Sequence, residues 1–252
     1  MEHYSKREFM RLSLMGFMGI VAGISPLCNY AVAANHPSKS LNWDAFLSRI
    51  REIAQMQYHK PWNNTSQLAA MIDVLKNCHF AEYDIIKNAI NAYSDRTPHV
   101  FEHDLLYKEY EFQISLLHFE KGEEIAPHDH PEMCGVMSVI SGEIFVSNYT
   151  RTEDLDKTRM VNHNQKNMII KSCLLKKESE QMLRSGNLSS LETRKGNIHA
   201  LTAHSQSHII DIFTPAYNPV NEQSSLWYHI DHNKLQDQDR ETFVAEYVAS
   251  IE

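Results

Sequence analysis

Apolar residues follow two different rhythms along this chain, and the change falls near residue 97. Trp43, Phe46, Leu47, Ile50, Ile53 and Ala54 recur at the spacing of one helix face. Leu68, Met71, Ile72 and Leu75 repeat that spacing behind the capping cluster Asn64-Thr65-Ser66. Ile86, Ala89, Ile90 and Tyr93 form a third stripe. These are packing faces of amphipathic helices, which predict a helical segment over residues 35–96. Beyond Thr97 the pattern becomes alternation. Phe112, Ile114 and Leu116 take turns with polar neighbours, and residues 136–140 and 144–149 are strand-like runs split by Ser141-Gly142. Residues 208–213 are an apolar run of the buried-strand kind, broken off by Pro215 and Pro219, and residues 226–230 predict a last strand. The charged stretch 151–167 predicts a long surface connection. Phe243, Val244, Tyr247, Val248 and Ile251 return to helical spacing and predict a C-terminal helix within 233–252. Together these elements predict a mainly β domain over 97–232, a small barrel or sandwich, with helices before and after it.

Composition changes this picture little. At 252 residues the chain is long enough to bury a core, and a formal charge of −8 argues against nucleic acid as a partner. The first 34 residues stand apart. Ser5-Lys6-Arg7-Glu8-Phe9-Met10-Arg11 puts positive charge ahead of the apolar, glycine-containing run 12–24, and Ala31-Val32-Ala33 supplies small residues for cleavage. That is the layout of a secretory signal, and the run is short for a membrane span. It also resembles a twin-arginine signal with lysine in place of the first arginine. The expectation is an exported, periplasmic protein without stable membrane insertion once the signal is cleaved. Losing Lys6, Arg7 and Arg11 against Glu2 and Glu8 would leave the remainder at −9. It would keep Cys78, Cys134 and Cys173, which cannot all pair and have no zinc-knuckle spacing; one disulfide stays open.

Fifteen histidines matter less by number than by place. In Gly122-(five residues)-His128-Asp129-His130, two imidazoles one residue apart on an extended strand point the same way and reach one ion. A third histidine from a distant strand would complete one face of an octahedron and leave positions open for substrates. His199, in Gly196-Asn197-Ile198-His199, is the best candidate. His118, His163, His204, His208 and His229 lack convergent partners and read as surface or core residues. Asp129 should point to the opposite face, in a structural role. Cys134 reads as a small buried hydrophobe.

Gly122…His128-x-His130…Gly142 followed by a later Gly-x-x-His resembles the two motifs of the cupin superfamily. The cupin glutamate ligand that follows the second histidine after four more residues is replaced here by Gly135, which cannot coordinate, and Glu132 is a poor substitute. His128-Asp129-His130-Pro131-x-Met133-x-Gly135-Val136, Gly196-Asn197-Ile198-His199, Ile210-Asp211-Ile212-x-x-Pro215-x-Tyr217-x-Pro219 and the closing Trp227-Tyr228 resemble, in order, segments of the cysteamine dioxygenase and plant cysteine oxidase family of thiol dioxygenases. That resemblance implies a cupin-type, jelly-roll-like barrel with Fe(II) held by His128, His130 and His199. It implies an aminothiol or a peptide beginning with cysteine as substrate, dioxygen as co-substrate and a sulfinic acid as product. It implies that Asp211 orients a ligand histidine or holds the substrate ammonium, and that Tyr217 and Tyr228 donate hydrogen bonds to bound oxygen or substrate. A monomer is expected. Two departures stand out. Glu132 replaces a family glycine, and Glu222-Gln223-Ser224-Ser225 replaces the family's glycine-arginine pair and nearby cysteine, so a cysteine–tyrosine crosslink is not available. The competing readings are a cupin metalloenzyme acting on a non-thiol substrate and a non-catalytic metal- or ligand-binding cupin.

Overall fold

Asn42 starts the first helix by accepting the Ala45 amide on its side-chain oxygen at 2.8 Å, the usual way to satisfy an orphan N–H of a first turn. The computed structural model describes residues 41–59, 64–94, 102–163, 166–217, 225–235 and 241–251. The expected signal, residues 1–34, lies outside them. No helix among the described residues is long and apolar enough to cross a membrane.

Three helices come first: α1 (Trp43–Ala54), α2 (Asn64–Lys76) and α3 (Asp84–Ser94). The apolar stripes read from the sequence are their inner faces, with Phe46, Ile50, Met71 and Ile86 almost fully buried. Eleven strands follow among the described residues. One sheet runs in the order β1 (Glu102–Lys108), β2 (Gln113–Phe119), β9 (Ser207–Thr214), β4 (Cys134–Ser141), β7 (Leu188–Leu191). The other runs β10 (Tyr228–Leu235), β11 (Thr242–Ile251), β6 (Lys166–Arg184), β5 (Glu143–His163), β8 (Ile198–Ala203), β3 (Glu124–Asp129). This is the mainly β, two-sheet architecture, preceded by helices, that the sequence pattern predicted.

Alternation along the strands builds three cores. Ile114, Leu116, Val136, Ile210 and Ile212 turn outward from the first sheet to meet the helices. Gln67, fully buried on α2, ties the two layers together by donating to the Ile53 carbonyl at 3.2 Å and the Thr214 hydroxyl at 3.3 Å. Leu117, Met137, Val139 and Ile209 turn the other way and pack against Ile144, Val146, Leu201 and Ala203 of the second sheet. On the far side of that second sheet lies a third core, with Tyr149, Cys173, Ile198, Tyr228, Phe243 and Tyr247.

Two expectations are corrected. The C-terminal helix is a strand: residues 242–251 form β11, hydrogen-bonded between β10 and β6. Phe243, Val244 and Ala245 are consecutive and all buried, in a strand flanked on both edges by β10 and β6. A strand of that kind loses its alternation, and its apolar positions then imitate a helical stripe. The surface connection at 151–167 is the outer part of a long hairpin, β5 and β6, whose ladder runs to the pair His163↔Lys166 with three irregularities on the way. Residues 152–154 and 156–160 are exposed on both sides, so the strand character there lies in backbone pairing. Cys78, Cys134 and Cys173 are free thiols.

Candidate metal centre

The centre begins with a counting irregularity in β3. Ile125 pairs with Leu201 and His128 pairs with His199, so three steps along β3 match two along β8. Strict alternation would send residues 125 and 128 to opposite faces. The extra residue lets Ile125 enter the core and His128 face the same interior. Pro127 suits that place, since it has no amide to contribute to a ladder. Pairing of β5 with β8 sets Asn148 opposite His199. Asn148, His199 and His128 therefore stand in one row across three strands, all facing the first sheet. His130 follows where β3 ends.

The three imidazoles converge. His130 Nε2 lies 3.0 Å from His199 Nε2, which lies 3.2 Å from His128 Nε2. All three residues are buried, and their ligand atoms fall within 4.8 Å of one another. Two nitrogens bound about 2.1 Å from one ion at right angles would be about 3.0 Å apart, so the donor set fits a metal held on one face of an octahedron. Burial, with His128 nearby, pushes the His199 pKa well below the usual value and keeps a lone pair ready at neutral pH. The distal nitrogens are handled separately. His128 Nδ1 is 2.9 Å from the Ala126 carbonyl, and His130 Nδ1 meets the Tyr217 hydroxyl.

Aromatic rings wall the cluster. Phe213 stacks on His130 with centroids 4.2 Å apart, and Trp227 stacks on His128 at 4.6 Å. A Cβ placed on Gly135 would come within 2.5 Å of the Phe213 ring. The space that a side chain at position 135 would need is thus taken up by the ring of Phe213. Glu132 is exposed, in a turn where its φ of 56° explains the glycine usual in the family.

The other expected site residues divide. Asp211 is buried on the interior face of β9, two residues from Phe213 and on its side. Burial pushes its carboxyl up to about 8, against the lowering effect of the Ile212 amide. Tyr217 is held by Gln113, whose side-chain oxygen accepts its amide at 3.1 Å, and by Lys108, which donates to its carbonyl at 2.7 Å. Its hydroxyl reaches the distal edge of His130 and lies 3.5 Å from the Ser225 hydroxyl. The hydroxyl that the resemblance has donating to oxygen or substrate therefore lies against one of the three imidazoles. Tyr228 is not brought to the cluster. It lies on the opposite face, in the third core, and donates to Asp129 Oδ2 at 2.9 Å. Asp129 also accepts the Leu226 amide at 2.7 Å, so the carboxylate between the two histidines fastens the β10 entry to β3, as its expected structural role requires.

Among the remaining histidines, His118 and His208 are buried against each other with Nδ1 atoms 3.0 Å apart, while His204 and His229 are exposed. Cys134 faces the helices, and burial pushes its thiol up to about 12. Phe213 and Trp227 were the partners to find from sequence. Each shares a strand face with a residue already singled out, Phe213 with Asp211 and Trp227 with His128 through an isolated bridge. Nothing in the sequence marked Asn148.

A family model, PCO_ADO, matches residues 62–248. The chain belongs to the cysteamine/cysteine dioxygenase family. No curated protein matches it. Solved structures similar to this member of the family include KdgF from Halomonas sp., at 13% identity and a TM-score of 0.34, covering 50% of this chain and 90% of that one. A protein with a double-stranded β-helix domain from Klebsiella pneumoniae aligns at 15% identity and a TM-score of 0.35, over 55% of this chain and 87% of that one. A cupin superfamily protein from Desulfitobacterium hafniense aligns at 15% and 0.32, over 49% and 84%.

Proposed function

We propose that this chain is an iron(II)-dependent thiol dioxygenase that joins both atoms of dioxygen to the sulfur of a small aminothiol or of an N-terminal cysteine, giving a sulfinic acid. The observation that carries the reading is the meeting of three buried imidazoles, His128, His130 and His199, in a family of thiol dioxygenases. The overall change, thiol plus dioxygen to sulfinic acid, balances without an outside reductant.

Iron(II), when bound, supplies the charge that keeps a thiol deprotonated and the redox partner that dioxygen needs. The chain's own residues do the rest. Three neutral imidazoles leave the full ionic charge in place, because no carboxylate stands at position 135. Phe213 and Trp227 cover two of the rings and keep water from them. Tyr217 fixes the orientation of His130. Asp211, protonated when alone at neutral pH, gains its charge beside a substrate ammonium, and so favours substrates that carry both an amine and a thiol. Export through residues 1–34 would place this chemistry in the periplasm, which fractionation of cells expressing the full chain tests directly.

Mass spectrometry of cysteamine, cysteine and a cysteine-initial peptide, each incubated with the iron(II)-loaded protein and labelled dioxygen, tests the reading. Two labelled atoms on sulfur are expected, and none with His199→Ala. Iron-loaded protein that leaves all three thiols unchanged would overturn it in favour of a non-thiol substrate or a binding role.

A further inference from the structure

Each ligand imidazole has a second nitrogen, and the partner of that nitrogen decides which tautomer the ring adopts. His128 and His130 have theirs, the Ala126 carbonyl and the Tyr217 hydroxyl. His199 Nδ1 has none: it is buried and without a hydrogen-bond partner. Among the described residues one other buried side-chain polar atom is orphaned in the same way, Asn148 Oδ1. The two belong to residues paired directly across β5 and β8. Cross-strand partners of this kind have their Cβ atoms about 5 Å apart on one face, within reach of a side-chain contact. The other end of the Asn148 amide is committed, since Nδ2 donates to the Ser190 carbonyl at 3.4 Å. That bond assigns the amide orientation and leaves the oxygen as the free end. The neighbouring ladder sets His128 on the other side of His199, so the ring lies between a fellow ligand and the asparagine.

An unmade donor and an unmade acceptor each carry a desolvation cost when buried, and the two are complementary here. We infer that Asn148 is a positioning residue of the metal centre: its carboxamide oxygen accepts the Nδ1 proton of His199 and so holds that ring in the tautomer whose Nε2 faces the metal. This rests on the reading of the three histidines as a metal centre. It assigns to an asparagine on β5 the part that a backbone carbonyl and a tyrosine play for the other two ligands. Such partners set both the orientation and the basicity of a ligand imidazole.

The test is anaerobic titration of the metal-free full chain with cobalt(II), whose visible absorption reports binding, for wild type, Asn148→Leu and Asn148→Asp. Asn148→Leu, similar in size but without an acceptor, should bind about 10–100-fold more weakly. Asn148→Asp, which keeps the oxygen, should stay within a few-fold of wild type. Asn148→Leu binding cobalt as tightly as wild type would overturn the inference while leaving the metal centre intact. Wild-type protein that takes up no cobalt would overturn the metal centre itself. Should Asn148→Leu fail to fold, nitrogen-15 spectra of the zinc-loaded wild type give a second reading. A slowly exchanging proton on His199 Nδ1 is expected, and a fast-exchanging one would overturn the assignment.

Discussion

The ring of Phe213 lies 4.2 Å from that of His130, with the planes 19° apart, and its edge fills the space a side chain at residue 135 would need. Phe213 therefore supports a ligand and excludes a fourth one at the same time. Gly135→Ala should push this ring off its stack and destabilise the fold by about 1–3 kcal/mol, the usual cost of overpacking. Phe213→Ala should cost about 3–5 kcal/mol and weaken metal uptake, because His130 loses the surface that orients it. Denaturant unfolding with a parallel metal titration checks both. A Gly135→Ala protein as stable as wild type would contradict the packing described.

Glu132 holds a φ of 56°, a conformation that costs a residue with a Cβ about 1–2 kcal/mol. Glycine relieves that cost but gives up about 0.5–1 kcal/mol of chain entropy. Glu132→Gly should accordingly raise stability by about 0.5–1 kcal/mol, read as a shift of the unfolding midpoint with the slope unchanged.

Asp211 ties stability to pH. Its carboxyl rises from an ordinary 3.8 to about 8 in the folded chain, because burial disfavours the charge. Between those values the folded state binds more protons than the unfolded one. The contribution is present in full below about 3.8 and is lost as pH rises to about 8. Metal-free wild type should lose stability over that window with a slope of up to about 1.4 kcal/mol per pH unit, and Asp211→Asn should lose the slope. Thermal melts from pH 5 to pH 8 provide the comparison.

The buried pair His118 and His208 acts in the other direction. Burial, with His118 beside it, lowers His208 from 6.5 to about 4. The unfolded chain binds that proton more readily, so stability is complete above 6.5 and falls as pH drops to about 4. Tyr93 of α3 stacks on His118 at 4.4 Å, so α3 should loosen first. Amide exchange in α3 should rise at pH 5 in wild type and change less with pH in His208→Leu.

The helices and the metal ligands were legible in the sequence for the same reason: each depends on a short period. Ile86, Ala89, Ile90 and Tyr93 declare their face without help from the rest of the chain, and His128 and His130 do likewise. What could not be read depends on distant partners. Phe243, Val244 and Ala245 are buried together only because β10 and β6 flank their strand. The polar half of β5 is a strand only because β6 runs beside it. Tyr228 looked like a neighbour of the ligands, but alternation gives that place to Trp227 and turns the tyrosine toward Asp129. Asn148 bears on the centre through register alone, which no local pattern records.

The extra residue between Ile125 and His128 resets the in–out phase of β3, so the strand's two halves can change independently. The wall-building half is set by apolar bulk, the other by ligand chemistry. Deleting Ala126 while the wall at Ile125 stays put would remove the extra residue, match two steps along β3 to two along β8, and leave His128 turned toward His199. The direction of that ligand thus survives the loss of one codon at the irregular place, while the same loss in a regular stretch of strand would turn it outward.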